Sequence, residues 1–89
     1  MVSYKIVIAP RALKDLKSFP GEIIKQVSDE IDCLGFNPRP VNCKKLKGPY
    51  SGEYRIEVRR NYRVRYRIFD HEKVIHVLRV MDRKESYRS

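Results

Sequence analysis

The feature that most restricts the fold is an alternation of apolar and charged residues in the second half of the chain. Tyr54, Ile56 and Val58 alternate with charged residues, and the same pattern returns over residues 62–68. A period of two places alternate side chains on opposite faces of a β-strand, whereas a helix would mix the two sets. Residues 54–58 and 62–68 are therefore predicted to be strands, each with one apolar and one charged face.

Residues 74–81 are predicted to form a further strand, apolar in both sets of alternate positions except at His76 and Arg79. A near-continuous apolar run is typical of a strand that is covered on both sides. We therefore expect this strand inside the sheet and not at its edge.

The first half of the chain has other spacings. Residues 3–9 are rich in β-branched and aromatic types and stop at Pro10, which predicts a strand. Apolar residues then recur at intervals of three and four, which predicts a short helix from Pro10 to near Pro20 and a second helix from there to Gly35. Residues 36–52, with three of the five prolines, are predicted to be a connecting loop.

The resulting order, β-α-α-β-β-β, predicts a single α+β domain over residues 1–89. Two N-terminal helices are expected to pack on a mostly antiparallel four-stranded sheet. A chain of 89 residues is too short for a second domain and buries too little surface to enclose a deep pocket. No cofactor is therefore expected, and any chemistry is expected at the surface.

The first two strands of the second half can be aligned, because one face of the pair must stay apolar. Pairing Val58 with Tyr62 across a three-residue loop places Ile56 opposite Val64 and keeps that face apolar. In this turn Asn61 is expected to take a positive φ.

The same alignment sets charges against each other on the opposite face. Glu57 falls opposite Arg63, which is an attractive pair, and Arg55 falls opposite Arg65. Like charges at this spacing destabilise a sheet by roughly a few tenths of a kcal/mol. A cationic strip that works against its own sheet indicates a ligand that compensates for the charge.

Basic residues are concentrated in the second half of the chain. Residues 1–43 contain six Lys and Arg against five Asp and Glu, whereas residues 44–89 contain 14 against six. Nine of the 11 arginines lie at or after Arg55, and the guanidinium group binds phosphate through a planar pair of donors. A polyanionic partner is therefore expected.

The cysteines and the apolar segments argue against a zinc-binding protein, a secreted protein and a membrane protein. Cys33 and Cys43 form no CxxC motif and have no histidine nearby, which argues against a zinc site. The longest apolar run is four residues, too short for a signal peptide or a membrane span. The chain is therefore predicted to be cytoplasmic, with no membrane contact.

A series of short segments covers nearly the whole chain, and its order and spacing are more specific than any one segment. The segments are residues 9–16, 37–40, 45–48, 52–56, 62–66 and 80–87. In this series the chain resembles the RelE/ParE superfamily of bacterial and archaeal toxins from toxin-antitoxin pairs, and its RelE branch in particular. The resemblance implies an mRNA interferase that cuts messenger RNA on translating ribosomes, inhibits translation and is silenced by a cognate, RelB-like antitoxin.

The resemblance also implies which residues act. Arg63 of the middle strand matches a functional arginine of the RelE branch, and Arg83 and Tyr87 match a C-terminal arginine and the tyrosine that follows it. Arg55 matches a basic position of the preceding strand, and Glu57 stands where relatives often carry lysine.

Metal-free RNA cleavage needs a base for the ribose 2′-OH, a cation for the charge that develops on phosphorus, and a proton for the leaving oxygen. Arg63 and Arg83 are the candidates for the second role. Tyr87 is a candidate base if nearby cations lower the pKa of its phenol, and Glu57 is its competitor, so the general base stays open. The sequence offers no carboxylate cluster or His/Asp ligand set, which argues against a catalytic metal.

Basic residues of the strands and of the preceding loop are expected to make general contacts with RNA. They are Arg55, Arg65, Arg67, Lys44, Lys45 and Lys47.

Two alternatives stay open. Met81 and Asp82 stand where many relatives carry a small residue and a basic one, so a histidine acid or base is absent there. The ParE branch, which is associated with inhibition of DNA gyrase, shares the fold, so a non-enzymatic gyrase inhibitor or nucleic-acid-binding module is the first alternative. A degenerate toxin that survives as an antitoxin-bound corepressor is the second.

Overall fold

The computed structural model describes residues 3–82, which form two helices and one five-stranded sheet. The elements are β1 (Lys5–Ile8), α1 (Pro10–Lys17), α2 (Gly21–Leu34), β2 (Lys44–Lys45), β3 (Tyr54–Val58), β4 (Tyr62–Phe69) and β5 (Val74–Asp82). The predicted α+β class and the predicted helices are confirmed. The sheet has one strand more than the four that we expected.

The additional strand lies in the segment predicted to be a loop. Lys44 pairs with Arg55 and Lys45 with Tyr54 in antiparallel register, and a single 3-10 turn follows at Gly48–Tyr50. Two residues are too few to show an alternating pattern, and lysine is uncommon in strands except at exposed edges. The sequence therefore carried no signal for β2.

The strands are arranged in the order β1-β5-β4-β3-β2. β1 runs parallel to β5, and the other neighbouring pairs are antiparallel. β5 thus lies between β1 and β4, which confirms its predicted inner position.

Both helices pack on the same face of the sheet. Ala12 and Leu16 of α1 and Val27, Ile31 and Leu34 of α2 are buried against the apolar face predicted from the alternation. The sheet residues in this core are Ile6, Tyr54, Ile56, Val58, Tyr62, Val64, Tyr66, Ile68, Ile75, Val77 and Val80. None of the helices in the described part of the chain is long and apolar enough to span a membrane.

In the described part of the chain, neither helix covers the other face of the sheet, which we call the open face. It carries the charged alternate positions of β3 and β4. They are Arg55, Glu57, Arg63, Arg65 and Arg67.

The register of β3 and β4 agrees with the prediction at every pair, from Val58 opposite Tyr62 to Tyr54 opposite Tyr66. The prediction for the turn was wrong. The positive φ angles belong to Arg59 (54°) and Arg60 (64°), and Asn61 has none.

Two successive left-handed residues produce a chain reversal whose twist matches the twist of the flanking strands. An arginine in this conformation costs about 1 kcal/mol that a glycine would avoid.

β5 contains a bulge that shifts its alternation by one residue. Arg65 pairs with Arg79 but the adjacent Tyr66 pairs with Val77, which leaves Leu78 as the extra residue. Because of this shift Val77 and Val80 both face the core, and both are fully buried. The bulge therefore explains part of the apolar run in β5, because it turns residues from both alternate sets towards the core.

A polar cluster fastens the segment after α2 to the end of β4. The guanidinium of Arg39 donates to Asp70 at 2.9 Å, the Tyr4 hydroxyl donates to the same carboxylate at 2.7 Å, and the Tyr66 hydroxyl donates to the Pro38 carbonyl at 2.7 Å. Residue 66 is fully buried, so its hydroxyl needs such a partner. These bonds join the segment after α2 to β4 and to the turn that follows it.

The hydrogen bonds from Arg39 and then from Tyr4 lower the pKa of Asp70 from its ordinary value of 3.8 to about 2. A carboxyl whose pKa is depressed by folding stabilises the fold above its ordinary pKa, and that stabilisation is lost as the pH falls through the folded value. We predict that Asp70→Asn lowers the urea midpoint at neutral pH, and that its difference from the wild type disappears as the pH falls from about 4 to about 2.

Glu72→Gln is the matched control, because Glu72 lies in the same turn and makes no ion pair within residues 3–82. Its midpoint should follow that of the wild type over this pH range. A constant difference between Asp70→Asn and the wild type down to pH 2 would contradict the role given to this carboxylate.

Candidate nucleic-acid interface

Four basic side chains stand side by side across the open face. Lys44, Arg55, Arg65 and Arg79 are paired in register on β2, β3, β4 and β5. Directly paired residues have their Cβ atoms about 5 Å apart. We call this set the basic row, and its like charges must be balanced or solvated.

The protein itself balances Arg65. Its Nε donates to Oε1 of Glu53 at 2.7 Å, and its guanidinium lies 4.4 Å from the centre of the Tyr50 ring. The Glu53 side chain is only 8% exposed, and its second oxygen lies 4.0 Å from Arg67. The compensation that we expected from a ligand is therefore partly internal.

Glu53 was missed as a site residue in the sequence, although a signal was present. It directly precedes β3 and has the same parity as Arg55 and Glu57, so the alternation already placed it on the charged face. Its burial depends on the Gly48–Tyr50 turn, which a local pattern does not indicate.

Asp15 of α1 balances Arg79 in the same way. β1 stops at Ile8, opposite Val77, so no strand within residues 3–82 lies beside the edge of β5 beyond that point. The Asp15 carboxylate accepts a bond from Arg79 Nε at 2.7 Å and one from the backbone N–H of Val80 at 3.0 Å. One helical carboxylate therefore satisfies both the strand edge and the arginine, and no local pattern of residues indicates this contact.

Lys44 and Arg55 form the end of the basic row that is not balanced in this way. Within residues 3–82 neither side chain makes an ion pair. Together with Asn42 and Glu57 they line a cleft of about 280 Å³ on the surface. These two cations are thus placed to receive an anionic group from outside.

Arg63 and Glu57 lie beside the row and face each other, as predicted. Arg63 Nη2 is 3.7 Å from Glu57 Oε1, which is a loose ion pair, and the two side chains are 13% and 42% exposed. On β5 the residue opposite Arg63 is Met81. The arginine is thus largely enclosed, while its carboxylate partner is open to solvent.

The other predicted site residues are spread more widely. The Arg67 side chain is 47% exposed on the open face, and Lys47 is exposed in the loop before the 3-10 turn. Lys45 pairs with Tyr54 and has the opposite parity to Lys44, so it does not belong to the basic row. Arg83 and Tyr87 lie outside the described residues.

Within residues 3–82, no three or more His, Cys, Asp or Glu side chains are grouped so that they could hold a metal ion.

The burial of Glu53 gives a testable difference between two carboxylates of the open face. Glu53→Gln leaves Arg65 partly buried without its counter-charge, so we predict a loss of about 3 kcal/mol in the free energy of unfolding. Glu57→Gln removes a carboxylate that is 42% exposed and 3.7 Å from its arginine, so solvent already screens this pair and the loss should be less than about 1 kcal/mol.

Urea unfolding of both variants measures the two changes under the same conditions. Equal losses for Glu53→Gln and Glu57→Gln would contradict the structural role of Glu53.

Residues 6–87 match the family model described as ParE toxin of type II toxin-antitoxin system, parDE. The chain is 30% identical over 92 residues to "Putative toxin RelE1" of Methanocaldococcus jannaschii, and the match covers 99% of both chains.

Solved structures of toxin-antitoxin complexes share the fold. A chain of the RelBE2 complex from Mycobacterium tuberculosis is 29% identical with a TM-score of 0.82, over 92% of this chain and 100% of that chain. A chain of the archaeal RelE-RelB complex from Pyrococcus horikoshii is 29% identical with a TM-score of 0.76, over 92% of this chain and 97% of that chain.

The family match spans both helices and most of the sheet, and the solved relatives have the same architecture. These findings agree with the resemblance seen in the sequence segments. The chain belongs to the ParE toxin family of the RelE/ParE superfamily and is a type II toxin-antitoxin toxin with RelE homologues.

Proposed function

We propose that this toxin is a ribosome-dependent endoribonuclease, an mRNA interferase that cuts messenger RNA in the cytoplasm and thereby inhibits translation. The observation that carries the proposal is the enclosed Arg63, which faces the exposed Glu57 carboxylate at 3.7 Å beside the cations Lys44 and Arg55. A largely desolvated guanidinium next to an open cationic cleft suits a phosphate that becomes more anionic during reaction.

The proposed reaction needs only the RNA and side chains of this protein. The 2′-oxygen of the ribose attacks the adjacent phosphorus, the new O2′–P bond forms, and the P–O5′ bond breaks. A base takes the 2′-proton, and the 5′-oxygen receives a proton as it leaves. The products are a 2′,3′-cyclic phosphate and a 5′-hydroxyl end.

Arg63 is the proposed stabiliser of the charge on phosphorus. At 3.7 Å its pair with Glu57 is long enough to be exchanged for a closer bidentate contact with a phosphate. An incoming phosphate would then release Glu57, which is exposed and able to accept a proton. Arg83 as second charge stabiliser and Tyr87 as competing base complete the proposed set.

The surrounding cations have a positioning role in this proposal. Lys44 and Arg55 would hold the phosphates that flank the scissile bond, with Lys45, Lys47 and Arg67 as weaker contacts to messenger or ribosomal RNA. Arg65 is already bound to Glu53, so its contribution to RNA binding is expected to be smaller than that of Arg55.

A RelB-like antitoxin is the proposed protein partner. The solved relatives include a RelBE2 complex and a RelE-RelB complex, in which the toxin is bound to its antitoxin. Because the open face is basic, the antitoxin segment that binds it is expected to be acidic or amphipathic. The affinity between toxin and antitoxin should then fall as the salt concentration rises.

Arg63→Ala tests the proposed centre. Removal of a donor that stabilises transition-state charge typically slows a reaction by about 100- to 1,000-fold. We predict a loss of this size in the rate of messenger RNA cleavage on translating ribosomes, with new RNA ends that carry a 5′-hydroxyl. Arg63→Lys keeps the charge without the planar pair of donors and should retain an intermediate rate.

Arg11→Ala is the control, because Arg11 is an exposed arginine of α1 away from the sheet face. It should cut at the wild-type rate. If Arg63→Ala and the wild type gave the same cleavage pattern, the site assignment would be wrong, and a wild type that produces no new ends would refute the proposed activity.

Inhibition of DNA gyrase without RNA cleavage is the second candidate function. It is favoured by the description of the matching family as a ParE toxin. Supercoiling by purified gyrase separates the two candidates, since an RNA-cutting toxin leaves supercoiling unchanged and a ParE-like toxin stops it.

A further inference from the structure

The turn between β3 and β4 contains two cations in a conformation that does not suit them. Arg59 and Arg60 both have positive φ angles, 54° and 64°. Glycine adopts this region without cost and asparagine with little, whereas other residues are strained there. Strained residues that persist on a surface are found preferentially at sites that bind something.

A third residue in this conformation shows what a structural reason looks like. Lys73, in the turn between β4 and β5, has a φ of 59°. Its carbonyl accepts a hydrogen bond from the Lys5 N–H at 2.8 Å, and its ammonium lies 5.3 Å from the centre of the Tyr4 ring. The strain at Lys73 is therefore offset by contacts that fasten β1.

The two arginines of the β3–β4 turn differ in their surroundings. Arg59 makes no ion pair within residues 3–82, but it lines a cleft of about 350 Å³ with three carboxylates, those of Asp29, Glu30 and Glu57, whereas the cleft of Lys44 and Arg55 has only Glu57. Arg60 is exposed, does not line this cleft, and within residues 3–82 makes no hydrogen bond or ion pair through its side chain. No contact in the described segment offsets the strain at Arg60.

The position of the turn relates it to the candidate interface. Val58 pairs with Tyr62, and Tyr62 pairs with Asp82 at the end of β5. Arg63 directly follows Tyr62, so Arg60 projects from the same end of the sheet as the proposed centre. An RNA strand that reaches Arg63 can therefore continue past the turn.

We propose that Arg60 is a separate contact for an RNA backbone phosphate, outside the cleavage centre, and that the turn keeps a strained arginine for this contact. The inference rests on the proposed function for the nature of the partner, which is RNA. It assigns a binding role to a residue with no part in the reaction itself.

Binding of a 2′-O-methylated single-stranded RNA oligonucleotide tests the proposal, because methylation blocks the nucleophile and no cleavage can interfere. Arg60→Gly should weaken binding about five- to tenfold and lower the slope of log affinity against log salt by about 0.7. The same change removes the strain and should raise Tm by about 4 °C. A residue with only a structural role would not combine weaker binding with a more stable fold.

Arg59→Gly is the matched control, because it removes the same charge and the same strain from the same turn. Its affinity for the oligonucleotide should stay within about twofold of the wild type, since nearby carboxylates already offset this charge. Arg11→Ala controls for the loss of one positive charge elsewhere.

The proposal is overturned if Arg60→Gly binds the oligonucleotide as the wild type does, or if all three variants lose affinity by the same factor. Absence of binding by the wild type overturns it as well. Because the measurement does not involve cleavage, a specific loss in Arg60→Gly would stand even if the wild type cut no messenger RNA on ribosomes.

Discussion

The two helices can cover only one face of the sheet, and this asymmetry decides where every charged strand residue lies. The pleat sends alternate side chains to opposite faces, so the residues that build the core on one side force their neighbours onto the other. Ile56 and Val64 are buried beneath the helices, and Glu57 and Arg63 are consequently on the open face. The interface is thus a direct product of the packing that stabilises the fold.

The crowding of cations on that face divides its arginines into two kinds. Arg65 and Arg79 are bound by carboxylates at 2.7 Å, and Glu53 and Asp15 are themselves shielded from solvent. Arg55 lacks such a partner among residues 3–82, although it stands directly beside Arg65. Arginines at equivalent positions of neighbouring strands therefore differ in role. Whether a carboxylate of the protein binds the guanidinium decides whether that arginine is available to an external anion.

The sequence predicted the features of the fold that depend on local periodicity. It did not predict the features that depend on contacts between distant segments of the chain. Both helices, the inner position of β5 and every pair between β3 and β4 follow from spacing, because a slip of one residue would expose the core. The two-residue β2, the burial of Glu53 and the bond from Asp15 to β5 require contacts between distant segments, so no window of sequence contains them. The left-handed pair in the turn opposes the preference of arginine and could only be seen in three dimensions.

The position of β5 has a consequence for how the molecule assembles. β5 is the last of the five strands in chain order, and it lies between β4 and β1, which is the first. Only when Lys5 meets Val74 does β1 gain its one neighbour and β5 its second, so the sheet is completed by a contact of very long sequence separation. Proteins of high contact order fold slowly, and shorter N-terminal fragments of this chain would lack β5, the strand that joins β1 to β4.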